Sequence, residues 1–264
     1  QILLAKTMNF FVFFSPEDLS IIKNGPAERR HFLDSELCQL DKVYLYQLSN
    51  YNKVVLQRNK LLKELYLHPD YREVLDVLDM QLVQYGSALI QRRQTFAEEL
   101  GEIVHRIHSQ LSGGQEEMEL KYEPNVTVDA FAQVLFSNRE RDMRLKTTAT
   151  GPHRDDISFV VNGVDIRKFG SQGQQRTAAL SLKLSEIELV KRLIGDTPVL
   201  LLDDVLSELD SGRQNYLLNS IENIQTLITC TGLDEFVNHR FSINRIYKVT
   251  DGSVTVENKQ EADR

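Results

Sequence analysis

Two short loops in this sequence have residue types that can bind a phosphate group. The first, LSGGQ at 111–115, ends a long helical pattern and is followed by the acidic, strand-like stretch EEMELKYEP. A phosphate-binding loop needs a helix directly after it, because free N–H groups and the positive end of the helix dipole hold the anion. We therefore interpret Gly113 and Gly114 as a helix stop within a linker.

The second loop, FGSQGQQR at 169–176, is followed by the pattern that the first loop lacks. Apolar residues recur from Leu180 to Ile194 at the three-and-four spacing of an amphipathic helix. A glycine in the loop lets the backbone approach a ligand, and a serine and glutamines offer neutral polar groups at the positive end of that helix. The candidate anion-binding residues are Ser171, Gln172, Gly173, Gln174, Gln175 and Arg176.

Two adjacent carboxylates follow further along the chain. The run Val199–Leu202 predicts a strand buried on both faces, and it ends at Asp203 and Asp204. Ligands of open α/β sheets bind at the carboxyl ends of strands, so we expect these acids to face a site. Asp203 is the candidate Mg²⁺ ligand, and Asp204 is the candidate residue that orients a water molecule. The alternative is that the pair caps the following helix.

The elements that must position these residues alternate in the manner of a layered α/β sheet. A strand-like run at 8–14 precedes two helical patterns, at 26–65 and 75–111, which the break LHPD at 67–70 separates. We expect these two helices to form an inserted antiparallel arm. After the arm, strands, helices and an Asn-Gly hairpin at 162–163 follow one another up to a closing hairpin.

The formal net charge of −7 excludes a simple basic nucleic-acid coat, so DNA binding has to come from local cationic patches. For each patch the alternative is a solvated or salt-bridged surface. His105 and His108 are expected to be surface or packing residues rather than metal ligands. The candidate DNA-binding residues are Arg29, Arg30, Arg92, Arg93, Arg139, Arg141, Arg144 and Lys146.

The cysteines and the chain start bear on the cellular setting. Cys38 and Cys230 lie far apart and without metal-ligand spacing, which favours a reducing cytoplasm. The apolar segment at 1–14 is too short and too interrupted by Lys6 and Asn9 to span a bilayer, and it lacks the layout of a secretory signal. We expect no membrane partner. Because no Met precedes this segment, we expect the chain to begin inside a larger protein.

Together these stretches resemble the ABC-type ATPase heads and, within them, the RecF family of bacterial recombinational repair proteins. SQGQQR is similar to a signature loop, VLLLDD to a Walker B strand, and SELD to a D-loop. The stretches TTATGPHRDD, SPEDL and PAERRHFLD are also similar to the RecF family. The resemblance spans essentially the whole chain.

The resemblance implies an α/β fold, an ABC-ATPase-like head with a layered sheet and an inserted antiparallel helical arm. The implied division is 1–25 as the end of an N-terminal ATPase lobe, 26–113 as the arm, 114–258 as the C-terminal lobe and 259–264 as a polar tail. ATP and Mg²⁺ are the implied cofactors.

In such heads two subunits enclose the nucleotides, so the resemblance implies an ATP-dependent homodimer in which one chain's signature loop meets its partner's ATP. The further implied partners are single-stranded, gapped or junction DNA, RecR-type mediators and the recombinase-loading machinery. The implied site residues beyond the signature and Walker B stretches are Ser207 and Asp210 in the D-loop, Thr229 and Thr231 as sensor candidates, and Glu17 in a Q-loop-like position.

Departures from the pattern qualify these expectations. Asp204 stands where ABC heads usually have Glu, and no Gln stands near Glu17. No G-x-x-x-x-G-K-[ST] stretch occurs in the sequence, and by the resemblance a preceding segment would supply it. We therefore expect a weak, Mg²⁺-dependent ATPase at full length and no hydrolysis by this chain alone. The alternatives are an SMC-type chromosome ATPase head and a non-catalytic helical interaction scaffold.

Overall fold

The computed structural model describes residues 10–64, 72–230 and 245–257. The contacts group the chain into two units, Gln1–Ile228 and Thr229–Arg264. The helices are α1 (Leu19–Lys23), α2 (Pro26–Leu40), α3 (Lys42–Glu64), α4 (Arg72–Leu111), α5 (Phe131–Ser137), α6 (Arg139–Leu145), α7 (Ile166–Phe169), α8 (Gln172–Ile194) and α9 (Ser211–Ser220). The strands are β1 (Phe11–Phe14), β2 (Met118–Glu123), β3 (Asp156–Val161), β4 (Val164–Asp165), β5 (Val199–Asp203), β6 (Thr226–Thr229), β7 (Ile246–Thr250) and β8 (Ser253–Glu257).

Strands β1, β5 and β6 form a three-stranded sheet in the order β1-β5-β6. β1 pairs with β5 in parallel, with Phe11 opposite Val199 and Phe14 opposite Leu202. Because the pair is parallel, both strands end at the same edge of the sheet. The residues after Phe14 and those after Leu202 therefore lie at that edge.

The two faces of this sheet differ in burial. Val12 and Leu200 are almost fully buried, whereas Phe11 and Phe13 are 47% and 50% exposed. Leu201 is half-buried, so the prediction that β5 is covered on both faces was wrong. Helix α8 packs against β1, and the alternation along both strands follows the two-residue period of a sheet with one covered face.

The arm consists of α3 and α4, which pack against each other in antiparallel directions. Arg58, late in α3, contacts Asp79, early in α4. Tyr44, near the start of α3, contacts Arg93, further along α4. The sequence predicted a single helix over 26–65, and this was wrong. The chain breaks at Asp41, whose carboxylate accepts hydrogen bonds from the N–H groups of Val43 (2.8 Å) and Tyr44 (3.1 Å) and so starts α3 as a new helix.

Helix α4 is 40 residues long and is shared between two surroundings. Its first half packs on α3, whereas its second half packs on β2 and α8. Gly101 lies against the carbonyl of Leu120, and the His108 ring contacts Ser181 of α8. The predicted division at residue 113 stays a prediction, because the helix that leads to it belongs to both surroundings.

The second sheet has the order β2-β3-β4, with antiparallel pairs. The predicted Asn-Gly hairpin is confirmed: Asn162 (φ 47°) and Gly163 (φ 81°) both adopt the left-handed backbone that joins β3 to β4. Helix α5 ends and helix α6 begins at Asn138.

The unit Thr229–Arg264 contains the hairpin of β7 and β8, which the sequence predicted. Tyr247 pairs with Val256 and Val249 pairs with Val254, so the four side chains share one exposed face. The helices that the structure describes include none that is both long and apolar enough to cross a bilayer. Residues 8 and 9 of the first expected strand, the whole break at 67–70 and the polar tail fall outside the described residues.

Candidate functional site

The turn before α8 has the geometry of an N-terminal cap. Ser171 Oγ accepts a hydrogen bond from the N–H of Gln174 (3.2 Å), and Gln174 Oε1 accepts one from the N–H of Ser171 (3.0 Å). This reciprocal pair is a capping box, which fixes where the helix starts. Ser171, Gln172 and Gly173 are exposed. The first N–H groups of a helix have no intrahelical acceptor, so this exposed turn presents donors to an anion.

The other candidate residues of the turn differ in their surroundings. Gln175 is buried, 8% exposed, and its side-chain amide donates to the carbonyl of Ile166 at 2.9 Å. Its predicted role as a nucleotide contact is therefore corrected: it joins α7 to α8. Arg176 is exposed on the first turn of α8. We call the residues Ser171–Gln174, of which the first three are exposed, the signature turn.

The signature turn lies next to the other glycine-containing loop. Gln174 Nε2 donates to Glu116 Oε1 at 2.9 Å, and Glu116 Oε2 lies 3.1 Å from His108 Nε2. Burial lowers the pKa of His108, so the ring is neutral near pH 7. Because a carboxylate only accepts, Nε2 carries the proton, and Nδ1 lies 3.0 Å from Ser181 Oγ, whose hydroxyl also lies 2.7 Å from the Thr177 carbonyl oxygen.

Loop 111–115 itself is a helix stop, as the sequence predicted. Gly113 (φ 64°) and Gly114 (φ 77°) are left-handed, and the N–H of Gly114 donates to the Ser109 carbonyl at 2.7 Å. Sequence reasoning missed Glu116, and it gave His108 as a surface or packing residue, of which the buried ring fits packing. No spacing pattern marks the contact between the two. Their contacts join residues from α4, the linker after it and α8.

The acid pair lies at the carboxyl end of β5. Asp203 ends the strand and is exposed, and Asp204 adopts a left-handed backbone with φ 50°. The Ser207 hydroxyl donates to the Asp204 carbonyl at 2.8 Å, which closes the turn after the strand. The helix cap of α9 is Asp210, so the alternative that the acid pair caps this helix is wrong.

Asp210 and Arg213 connect the D-loop-like stretch to the signature helix. Asp210 Oδ1 accepts from the N–H of Arg213 at 2.9 Å, and this hydrogen bond lowers the pKa of Asp210. Arg213 Nη2 donates to Thr177 Oγ1 at 2.6 Å, one and a half turns into α8. The two stretches thus lie against each other within one chain.

The remaining candidates lie on the strands next to β5 and beyond. Glu17 is exposed in the short 3-10 helix Pro16–Asp18, directly after β1 and therefore at the sheet edge where Asp203 ends β5. Thr229 is the last residue of β6. Thr231 falls outside the described residues.

Asp203 fits the ligand chemistry of Mg²⁺, because exposed carboxylate oxygens are the ligands that this cation prefers. Mg²⁺ is usually bound by one or two carboxylates together with nucleotide phosphates. Within the described part of the chain, no group of three or more His, Cys, Asp or Glu side chains is placed to hold a metal ion.

Two of the candidate DNA-binding arginines are buried. Arg29 pairs with Asp156 at 2.5 Å and is 4% exposed, and Arg93 pairs with Asp34 (2.7 Å) and Asp155 (3.1 Å) and is 2% exposed. Their predicted DNA contact is corrected, because Arg29 holds α2 to the start of β3, and Arg93 holds α4 to α2 and to the residue before β3. The salt-bridged alternative describes them.

The other candidate cations are more accessible. Arg92 pairs with Asp41 at 3.3 Å, and Arg139 pairs with Asp76 (2.6 Å) and Asp79 (2.7 Å). Arg30 is half-buried and donates to the Asp155 carbonyl. Three further candidates are exposed on or after α6: Arg141, Arg144 and Lys146.

Known proteins resemble the chain closely over nearly all of its length. No protein-family model matches it. It is 62% identical over 245 residues to the DNA replication and repair protein RecF of Agathobacter rectalis, which covers 93% of this chain and 68% of that protein. The chain belongs to the RecF family. It is also 61% identical over 249 residues to RecF of Lachnospira eligens, with 94% of this chain and 69% of that protein covered.

Solved RecF structures confirm the fold. The structure described as the recombination mediator protein RecF-ATP in the RecFOR pathway superposes with a TM-score of 0.85 at 35% identity, over 95% of this chain and 68% of that one. A second RecF structure, with ATPrS, gives the same TM-score at 36% identity. The expected α/β head of the RecF family is therefore confirmed. The chain is assigned to this family and not to the alternative, the SMC-type chromosome ATPase heads.

Proposed function

We propose that this chain is the signature-bearing part of a RecF-type ATP-dependent DNA clamp in recombinational and gap repair. The observation that carries the proposal is the exposed, capped signature turn at the start of α8. A second subunit can reach this turn, and a nucleotide bound by that subunit would meet its N–H groups. The RecF relative whose structure contains ATP supports a nucleotide as the ligand.

The signature turn suits the γ-phosphate of a partner's ATP. Its backbone N–H groups and the Ser171 hydroxyl are neutral donors at the positive end of a 23-residue helix. Gly173 has no side chain to obstruct an approaching phosphate. The space beside it is open, because a Cβ there would have only Ser171 Oγ within 4 Å, at 3.9 Å. Gln172, Gln174 and Arg176 flank the approach.

The acid pair contributes the other wall of the composite site. In this proposal Asp203 binds Mg²⁺ and Asp204 orients the attacking water. Glu17 lies at the same sheet edge and takes the Q-loop position. Thr229 and Thr231 remain the sensor candidates. Because Asp204 is one methylene shorter than the usual Glu, hydrolysis is slow.

ATP then acts as a dimerisation switch. A ligand that only the closed dimer binds shifts the population toward that dimer by mass action. Ser207 and Asp210 lie at the interface, and the contact of Arg213 with Thr177 ties this interface to the signature helix. Hydrolysis removes the bridging phosphate and releases the clamp.

The sequence has no phosphate cradle of the G-x-x-x-x-G-K-[ST] type, so we propose that the chain alone binds ATP weakly and does not hydrolyse it. DNA, single-stranded, gapped or at a junction, is bound by exposed cations, among which Arg141, Arg144 and Lys146 are the most accessible. Arg92 and Arg139 are secondary candidates. RecR-type mediators, recombinase-loading partners and a cytoplasmic setting complete the proposal.

The test joins this chain to the preceding segment of the Agathobacter rectalis relative and measures dimerisation with and without ATP by sedimentation. Ser171→Asp and Ser171→Asn form a matched pair, because both side chains cap a helix and they differ in one charge. We expect Ser171→Asn to keep the ATP-dependent dimer and Ser171→Asp to lose it by repelling the γ-phosphate.

A second comparison tests the acid wall. Asp204→Asn is expected to dimerise with ATP and to remain dimeric, because hydrolysis stops. If the joined protein forms no ATP-dependent dimer, or if Ser171→Asp dimerises like Ser171→Asn, the chain is a helical scaffold rather than a nucleotide-gated clamp.

A further inference from the structure

A cavity of about 270 Å³ lies between α2, α3, α4 and the short helix Pro152–Arg154. Neither the signature turn nor the acid pair lines it. Arg30 and His31 face it from α2, Tyr51 and Asn52 from α3, and His153 from the short helix. The cavity opens at the surface, since His31 and Asn52 are exposed.

Arg30 is the cation of this cavity that has unused donors. Its guanidinium has five N–H groups. Among the described residues it forms one hydrogen bond, from Nη1 to the Asp155 carbonyl at 2.8 Å. Within the described ranges it forms no ion pair with a carboxylate. Burial lowers the pKa of Arg30 and the positive charges of Arg93 and Arg154 act in the same direction, whereas the carboxylates of Asp156 and Asp155 act against them.

The carboxylates nearby are already engaged by other groups. Asp34 lines the cavity, and its Oδ1 accepts from Arg93 Nη2 (2.7 Å) and from the Tyr44 hydroxyl (2.5 Å). Asp155 accepts from Arg93 Nη1 at 3.1 Å and from the Tyr122 hydroxyl. Arg93 is thus neutralised by two acids, which leaves the charge of Arg30 for a ligand.

The deep wall of the cavity is rigid and neutral. The Tyr51 hydroxyl donates to His153 Nδ1 at 2.7 Å, because His153 Nε2 must carry the proton that it donates to the Thr148 carbonyl at 2.9 Å. Burial lowers the pKa of His153 to about 4, so the ring stays uncharged near neutrality. Tyr51 and His153 therefore add no negative charge that would oppose an anion, and the carboxylate that does line the cavity, Asp34, is paired with Arg93.

We propose that this cavity binds a phosphate group of a nucleotide or of a nucleic-acid strand, with Arg30 as the charged contact and His31 and Asn52 as polar contacts at the mouth. A planar guanidinium with free N–H groups matches phosphate oxygens in pairs. A cavity of about 270 Å³ is at the small end of ligand pockets, which suits a phosphate with its attached sugar. The site is separate from the ATP site proposed above and does not depend on it.

Calorimetry on the 264-residue chain tests the site with separate probes. The probes are inorganic phosphate, AMP, a short single-stranded DNA with a 5′-phosphate and the same DNA without it. Arg30→Gln removes the charge and leaves a neutral amide on a shorter side chain. We expect this variant to bind each probe that the unchanged chain binds with an affinity lower by about tenfold or more. Arg192→Gln, an exposed charge change at the far end of α8, is the matched control and should leave binding unchanged.

A second pair of variants keeps the test valid if Arg30→Gln folds poorly. Ala27 lines the cavity from the first turn of α2, where an acid is favourable to the helix dipole. Ala27→Glu should fold and weaken phosphate binding at least as much, whereas Ala27→Gln should not.

The probes identify the source of the phosphate. Binding of AMP indicates a nucleotide, binding that depends on the 5′-phosphate indicates a strand end, and equal binding of both DNAs indicates an internal phosphate. The proposal is overturned if no probe binds the unchanged chain, or if Arg30→Gln and Ala27→Glu bind every probe as tightly as their controls.

Discussion

The side-chain amide of Gln174 donates to Glu116 Oε1 over 2.9 Å, and this hydrogen bond joins the signature turn to the linker that leaves α4. Glu116 is in turn held by the buried ring of His108. The two loops with similar composition are therefore neighbours with different tasks: one ends a helix, and the other begins one. The acid between them fixes the orientation of the Gln174 side chain and so of the Ser171 cap.

Removing this acid should loosen the signature turn. Glu116→Ala leaves Gln174 and His108 without their common acceptor, so we expect a loss of about 1 to 2 kcal/mol in the free energy of unfolding. Hydrogen exchange of the Ser171 N–H should accelerate, because Gln174 Oε1 is its acceptor. Urea unfolding and amide exchange measure the two effects. Glu117→Ala, an exposed neighbour, is the control, and equal effects of both variants would contradict the prediction.

Two glycines should differ in how much stability the same substitution costs. Gly151 has φ 133°, and a Cβ there would lie 2.3 Å from the Tyr51 hydroxyl oxygen, so Gly151→Ala should cost at least about 2 kcal/mol in stability. Gly173 has open space around a Cβ, so Gly173→Ala should change stability by less than about 1 kcal/mol. Thermal unfolding compares the two. A large loss for Gly173→Ala would show that the fold rather than a ligand requires this glycine.

The arm contains a buried cation whose removal should be costly. Arg58 is fully buried and binds Asp79 (2.6 Å), Asp142 (2.7 Å) and Thr148 (3.1 Å). Arg58→Met fills similar volume but leaves the buried Asp142 without its cation, so we expect a loss of about 3 to 5 kcal/mol. Lys60→Met, an exposed change on the same helix, should be nearly neutral. Guanidinium unfolding measures both, and a loss below 1 kcal/mol for Arg58→Met would refute the expectation.

His153 should make stability depend on pH in a defined window. Burial lowers its pKa from 6.5 to about 4, with smaller contributions in the same direction from Arg154, Arg30 and Arg93. Between these values the unfolded chain binds the proton and the folded chain does not, so stability falls as pH falls from about 6.5 to 4. From pH 7 to pH 5 this group alone should remove about 2 kcal/mol.

His153→Gln isolates this contribution. Glutamine can still accept from Tyr51 and donate to Thr148, and it does not titrate. Urea unfolding at pH 7 and pH 5 measures the difference in unfolding free energy between the unchanged chain and the variant. This difference cancels the contributions of other titrating groups. Asp155 is one of them: burial raises its pKa, so its effect has the opposite sign. The same pH dependence in both proteins would exclude His153 as its source.

Local signals predicted the elements around the candidate site. The start of α8 was predictable because its cap and glycine lie close together, at Ser171 and Gly173, and the apolar helical spacing from Leu180 follows them. The end of β5 was predictable because an apolar run stops abruptly at Asp203. The break at Asp41 was not, since the apolar spacing continues across it and only the carboxylate's bonds to two N–H groups show a new helix.

Contacts between distant parts of the chain were beyond the sequence. Arg29 finds its carboxylate 127 residues away, so its charge looked available for DNA although it is buried. Gln174 finds Glu116 58 residues away, across a linker that had no other predicted role. Charge and residue type show what a side chain can bind, whereas the fold decides which partner it meets.

Helix α4 extends without interruption from the arm to the linker, 40 residues or about 60 Å. Its last turns are fixed to α8 through His108 and Ser181, and among the described residues its first half packs on α3 and contacts Phe131 of α5 and Arg139 of α6. When a rigid helix rotates about one end, the displacement of its residues grows with their distance from that end. A tilt of α8 by a few degrees, too small to disturb the packing at its own surface, would therefore sweep the distal end of the arm through a displacement several times larger.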